Sequence, residues 1–275
     1  MNFTGKANPL SQPGLDTACQ LLGTGAAEIW TLLTVETKGC GYLPDRRPVI
    51  LFERHIFHKQ TGGRYGSPEP GGYLGGAKEY DRLEEAMALD AHAALNSASW
   101  GIGQVMGFNS KLAGFPSVES MVEAMIADED AQLIAVARYL RAEKLDRFLA
   151  AHQWEAFAMG YNGPNYKENN YDTKLAAAYA AFSVGPLPQI QVRQAQLFLT
   201  FLGFHTGGID GIPGKLTLNA IAQFRDQERV QTSGAIGAQL SAALQSRSLI
   251  DVQRSPKSPS TPCLDLLPCK APRNS

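Results

Sequence analysis

The sequence predicts a mostly helical α+β protein: a larger helical unit with one short β element, followed by a smaller unit of three helices. Three observations lead there. Apolar residues recur at helical spacing through most of the first 184 positions. One run, Pro48-Val-Ile-Leu-Phe-Glu-Arg-His-Ile-Phe-His58, is instead rich in β-branched and aromatic residues and reads as a strand. At Gly185-Pro-Leu-Pro188 the helical pattern yields to a Pro-rich joint, beyond which two Gly-centred turns each start a helix. The expected boundaries are 1–184 for the first unit, 185–188 for the linker, 189–247 for the second unit and 248–275 for a tail.

Element by element, Pro13 opens a helix through Leu22, and Gly23-Thr-Gly25 stops it. A second helix runs from Ala26 to about Thr37 and is ended by Gly39, Gly41 and Pro44. After the strand comes a Gly/Pro-rich loop, Thr61 to Gly76. Helices resume at about Tyr80–Leu95, Val118–Ala142, Gln153–Met159 and Tyr171–Phe182. In the second unit, Gly208–Thr217 weakly echoes Thr232–Ser241, and Leu197, Leu202, Ile221 and Phe224 would form its core. From Asp251 onward five prolines and several serines predict a disordered tail.

With 44% hydrophobic and 19% charged residues the chain can bury a core, which excludes wholesale disorder. A net charge of −1 gives no reason to expect nucleic acid or an anionic membrane as partner. The first residues hold one Lys and no apolar stretch, so no secretory signal is expected. No apolar run approaches the ~18 residues of a membrane-spanning helix. Cys19, Cys40, Cys263 and Cys269 lack a metal or disulfide spacing and read as free thiols, with Cys263 and Cys269 near enough in the tail to pair.

Chemistry-bearing residues fall into three clusters. On the second helix Ile29, Leu32 and Leu33 form an apolar stripe, and Glu36, three residues after Leu33, lies on it. A carboxyl on a buried face has its pKa raised and can stay protonated near neutral pH; the alternative is that Glu36, at the helix end, reaches solvent past Thr37. Glu28 lies on another face and reads as solvated. The second cluster, Ser99-Trp-Gly-Ile-Gly-Gln-Val-Met-Gly107, has a GxG but no preceding predicted strand, which argues against a dinucleotide site. Its glycines would admit a polymer close to the backbone and Gln104 offers a donor and an acceptor; a helix-capping turn accounts for it equally. The third, Met159-Gly-Tyr-Asn-Gly163, is either a polar groove wall at Tyr161 and Asn162 or an ordinary Asn/Gly helix stop. A further acid, Glu53, sits in the apolar strand on the side of Leu51 and His55, either in an internal ion pair, with Arg54 for instance, or in a cleft. Asp81, Glu84 and Glu85 suit a helix N-terminus and read as structural. His55 and His58, three apart in a strand, would point to opposite faces, so no metal site is expected.

Taken in order, Glu36-Thr37, Gly-Ile-Gly-Gln-Val-Met at 101–106 and Gly-Tyr-Asn-Gly at 160–163 resemble the Glu-Ser, Gly-Leu-Met-Gln and Ala-Tyr-Asn signatures of the lysozyme superfamily. Ile50-Leu-Phe-Glu-Arg-His-Ile-Phe57 resembles, more particularly, the N-acetylmuramidase family of modular phage endolysins. The resemblance covers residues 14–183 and implies a lysozyme-like catalytic domain. It implies that Glu36 donates a proton to the glycosidic oxygen and that Gln104, Tyr161 and Asn162 line the sugar groove. Val105 and Met106 would be wall or core. Thr37 replaces the commoner Ser, Gly103 replaces the Met before Gln, and Cys40 stands where an inert small residue is expected.

In the second unit, Leu202-Gly-Phe204, Asp210-Gly-Ile-Pro-Gly-Lys-Leu-Thr217 and Ala220-Ile-Ala-Gln-Phe224 resemble the three-helix peptidoglycan-binding domain, which implies Asp210, Gly211 and Thr217 as binding-motif positions. Arg225 and Pro213 depart from that pattern. The expected function is a peptidoglycan hydrolase cleaving the β-1,4 bond between N-acetylmuramic acid and N-acetylglucosamine, with Glu36 and Glu53 as catalytic carboxylates and no cofactor. The rivals are a lytic transglycosylase and a non-catalytic peptidoglycan-binding protein. The partner is bacterial peptidoglycan, without nucleic acid or membrane insertion, and a monomer is expected. It would be made in the bacterial cytoplasm and act in the periplasm or on the wall after release through a lysis pore or secretion system. Residues 1–184 alone are expected to lyse exposed peptidoglycan, less effectively at low concentration.

Overall fold

A computed structural model describes residues 1–36, 39–229 and 236–254, without the side chains of Glu36, Ala238 and residues 250–254. Helix α1 (Gln12–Leu22) begins at Ser11, whose hydroxyl accepts from the Gly14 N–H, and ends at Gly23 in the left-handed conformation. Helix α2 (Ala26–Glu36) follows and packs against α1. Its residues Ile29, Trp30, Thr31, Leu32 and Leu33 are all buried. A helix apolar around most of its girth belongs in a core, and α2 is covered on another side by α10 (Tyr171–Val184).

The β element is shorter than the alternation predicts. Strand β1 is only Ile50–Phe52, and residues Arg54–Gln60 form helix α3. The Phe57 N–H bonds back to the Glu53 carbonyl at 3.0 Å and closes the first helical turn; Phe57 enters the main core and Ile56 joins a separate cluster with Leu51, Met106, Tyr73 and Phe108. Strand β1 pairs antiparallel with β2 (Ala98–Trp100), Leu51 opposite Ser99, and β2 pairs with β3 (Val105–Met106). A strand therefore does precede Gly101, and the glycine cluster is a tight β2–β3 turn rather than a helix cap.

Two long predicted helices are each broken by an aspartate. Tyr80–Leu95 is α4 (Glu79–Met87) and α5 (Ala91–Asn96), with Asp90 accepting from the Ala93 N–H. Val118–Ala142 is α6 (Val118–Ala127) and α7 (Glu129–Ala142), with Asp128 extended and accepting from Ala131. In both, a short carboxylate takes the backbone donors of a new first turn, as an N-cap does. Helices α8 (Asp146–Ala150) and α9 (Trp154–Asn162) lead to α10.

Beyond the joint stand α11 (Ile190–Phe201), α12 (Lys215–Glu228) and α13 (Ala238–Arg254). Their shared core is Ala195, Phe198, Leu199, Ala220, Ile221, Phe224, Leu240 and Leu244. Leu197 is not part of it, against expectation. Residues 193, 197 and 201, spaced by four, turn α11's other face to the first unit, where Leu197 packs with Ala7 and Tyr42. Helix α13 continues to Arg254, so the predicted tail from 248 starts as helix; Ser248 is buried and its carbonyl accepts from the Arg46 guanidinium. Residues 255–275, with Cys263 and Cys269, and residues 232–235 of the Thr232–Ser241 echo lie outside the described residues. Cys19 and Cys40 are free thiols.

Candidate active site

Glu36 is the last residue of α2; its side chain and Thr37 lie outside the described residues. Its helix is held from behind by the buried stripe. Glu28, read as solvated, is not: its carboxylate is 12% exposed, accepts from the Gly25 N–H and meets His152 Nε2 at 2.8 Å. Burial alone would raise the pKa of Glu28, but the His152 and backbone hydrogen bonds outweigh it and hold it low.

The β2–β3 turn is braced from both sides. Gln104 adopts φ 50°, a left-handed conformation uncommon outside glycine. Its amide donates to the Gly101 carbonyl at 2.8 Å and the Val49 carbonyl at 3.0 Å, and accepts from the Ser99 hydroxyl at 2.8 Å. Both amide hydrogens are thus committed inside the protein, fixing the turn and the start of β1. The Tyr161 hydroxyl, on α9, donates to the Gly103 carbonyl at 2.7 Å. A Cβ at Gly103 would overlap Val136 of α7, so glycine lets the turn pack closely on that helix. Two of the three sequence motifs, separated by about sixty residues, therefore meet through one hydrogen bond. Asn162 ends α9 beside Tyr161. Val105 is core and Met106 belongs to the smaller cluster on the sheet.

Glu53 immediately follows β1 and precedes α3, with its N–H bonded to the Ser97 carbonyl. It does not pair with Arg54, whose guanidinium donates to the Glu69 and Pro70 carbonyls. Instead the 7% exposed Glu53 accepts from the Tyr73 hydroxyl at 2.7 Å and lies 3.2 Å from His55 Nδ1.

Tyr73 and His55 were not singled out as partners of Glu53 in the sequence, and neither was Glu79, which arranges them. The fully buried Glu79 carboxylate accepts from the backbone N–H of Leu74, Gly75 and Phe52 and from Arg82 at 2.6 Å. It ties the Gly/Pro-rich loop to β1 and so sets Tyr73 beside Glu53. No local signal marks it, because Glu79 resembles any acid in a helix's first turn. In the second unit, Asp210, Gly211 and Thr217 converge on one side chain. Gln196 Nε2 donates to Asp210 Oδ1 at 2.9 Å and to Thr217 Oγ1 at 3.0 Å, and its Oε1 accepts from the Gly211 N–H at 2.8 Å. Ile212, Leu216 and Leu218 beside them are exposed. Among the described residues no group of three His, Cys, Asp or Glu side chains gathers as a metal site.

Residues 25–183 match the family model described as Muramidase, N-acetylmuramidase. No curated protein matches the sequence. Among solved structures, the crystal structure of the Burkholderia AP3 phage endolysin is similar, with 39% identity, 64% of this chain and 71% of that chain covered, and a TM-score of 0.61.

Proposed function

The chain belongs to the N-acetylmuramidase family and is a glycoside hydrolase that degrades peptidoglycan; from that premise we propose that Glu36 is its general acid, acting on the β-1,4 bond between N-acetylmuramic acid and N-acetylglucosamine. The supporting observation is the position of Glu36 at the end of a helix buried at residues 29–33. In that role its carboxyl gives a proton to the leaving glycosidic oxygen. The Tyr161–Gly103 hydrogen bond supports a shared groove for the second and third motifs. In it, Gln104 and Tyr161 set the backbone of the turn, and Asn162 offers an amide to the sugar.

Hydrolysis, rather than internal attack by the muramoyl C6 hydroxyl, is favoured by Glu53. A carboxylate not tied up by Arg54, oriented by the Tyr73 hydroxyl and lying beside His55, is suited to align a water. Inverting hydrolysis needs the two carboxyls roughly 6.5–9.5 Å apart. Mass spectrometry of digested sacculi tests this: reducing-end muropeptides are expected, and 1,6-anhydro ends would establish the transglycosylase instead.

Glu53→Gln separates catalysis from architecture. An amide oxygen can still accept from Tyr73, and no guanidinium is left unpaired. The expected result is a melting temperature close to wild type with lysis reduced ~10²-fold or more. A marked fall in melting temperature with lysis per folded molecule unchanged would return Glu53 to a structural role.

The second unit, residues 189–247 in the sequence reading, is proposed to bind the wall. Its motif side chains at Asp210 and Thr217 hold the loop through Gln196, and the exposed Ile212, Leu216 and Leu218 provide the contact surface. No helix among the described residues is long and apolar enough to cross a membrane. The protein is proposed to act as a monomer, on the wall or in the periplasm after passage through a lysis pore or secretion system.

A further inference from the structure

Arg193 is a fully buried cation that belongs to the second unit and is bonded to the first. Its Nη1 and Nη2 meet Glu129 Oε2 and Oε1 at 2.6 and 2.9 Å. Its Nε, at 3.1 Å, and its Nη2 donate to the carbonyl of Gly39, three residues beyond Glu36. Glu129 also accepts from the Gly41 N–H at 2.9 Å and the Leu10 N–H at 2.8 Å. One guanidinium–carboxylate pair thus grips both ends of the 39–41 segment.

That segment has no slack on its other sides. A Cβ on Gly39, at φ 86°, would overlap the Ile209 carbonyl of the second unit. A Cβ on Gly41 would overlap the Gln132 amide and lie 2.9 Å from the Ile102 nitrogen. Gln132 itself accepts from the Ile102 N–H at 2.7 Å. Residues 39–41 are therefore wedged between the second unit and the Gly-Ile-Gly-Gln turn. Arg193 contributes four donor contacts in a planar fork, a geometry a lysine ammonium cannot reproduce.

We infer that Arg193 is a positioning residue for glycan cleavage: from the second unit it fixes residues 39–41, just beyond Glu36, and through that anchor the aim of the acid at the glycosidic oxygen. The inference rests on Glu36 being the acid. Misplacing a reacting group by ~1 Å costs on the order of 10² in rate, so a small release at Gly39 is enough to be read in turnover. The second unit then does more than hold the enzyme to its polymer. It completes the support of the active site.

The test uses full-length Arg193→Lys, which keeps a cation opposite Glu129 but loses the fork to Gly39. On purified sacculi, well below the melting midpoint, kcat is expected to fall ~10-fold or more. KM and co-sedimentation with sacculi should stay unchanged, and the alkaline limb of the pH–rate profile should shift as the acid's surroundings change. Should this variant not fold, the Arg193→Gln/Glu129→Gln double variant, a neutral hydrogen-bonding pair, takes its place with the same expectation. A folded variant with wild-type kcat and pH profile overturns the inference, and so does collapse of the fold in both, which would assign Arg193 to architecture alone. Glu36→Gln run in parallel separates the two readings. If it retains lysis, the acid assignment fails; if it is inactive while Arg193→Lys matches wild type, only the clamp fails.

Discussion

Glu36→Gln is expected to abolish wall lysis while leaving the protein folded. Removing a general acid typically costs ~10²–10⁴ in rate. The glutamine is isosteric and carries no charge, so the substitution adds neither bulk nor a charge to be desolvated. Turbidity loss on sacculi measures the first effect and a thermal melt the second. The inactive variant should still sediment with sacculi, because the second unit is untouched; failure to sediment would remove the wall-binding role. Substantial lysis by a folded Glu36→Gln protein would remove Glu36 from the chemistry.

The largest effect on stability is expected at Glu129. Burial would raise the pKa of its carboxyl, but Arg193 and the backbone N–H groups of Gly41 and Leu10 hold it below the ordinary carboxylate range. Truncating it to alanine leaves Arg193 as a buried cation with only the Gly39 carbonyl and frees two buried N–H groups. Breaking one partner of a buried pair costs ~3–5 kcal/mol, which for a chain of this size is a fall on the order of 10 °C in melting temperature. A Glu129→Ala protein melting within about 2 °C of wild type would show the pair to be dispensable.

The same pair changes the expectation for the first unit alone. Cut at residue 184, it would leave Glu129 without Arg193 and would bare Tyr42 and Ala7, which Leu197 covers. Such a fragment should melt lower than the full chain and lyse less per molecule even at high concentration, whereas a simple tether would cost activity only at low concentration.

The helices were legible because their information is local. Ser11-Gln-Pro13 before α1, Gly23 after it and the stripe at Ile29, Leu32 and Leu33 act within a few residues, and burial follows directly from the spacing. The three motifs were legible as chemistry for the same reason. The Arg54–His58 stretch departs from the strand reading because β-branched and aromatic composition over a few residues does not distinguish a strand from a strand-to-helix corner. There the Phe57 N–H bonds back to the Glu53 carbonyl and closes the first turn of α3.

By itself the sequence determined that this is a mostly helical peptidoglycan hydrolase with the Glu36 helix near the front. It also determined which residues carry the resemblance, because turn chemistry, helical period and short motifs are properties of neighbouring residues. Tertiary structure alone decided how those residues are supported. The Glu53 carboxylate takes a tyrosine twenty positions away rather than the adjacent arginine. Arg193 reaches Glu129 across 64 positions and Gly39 across 154. A buried charge is stable only with partners of matching geometry, and the chain distance between those partners is set by how helices pack. No pattern in the intervening sequence records that distance.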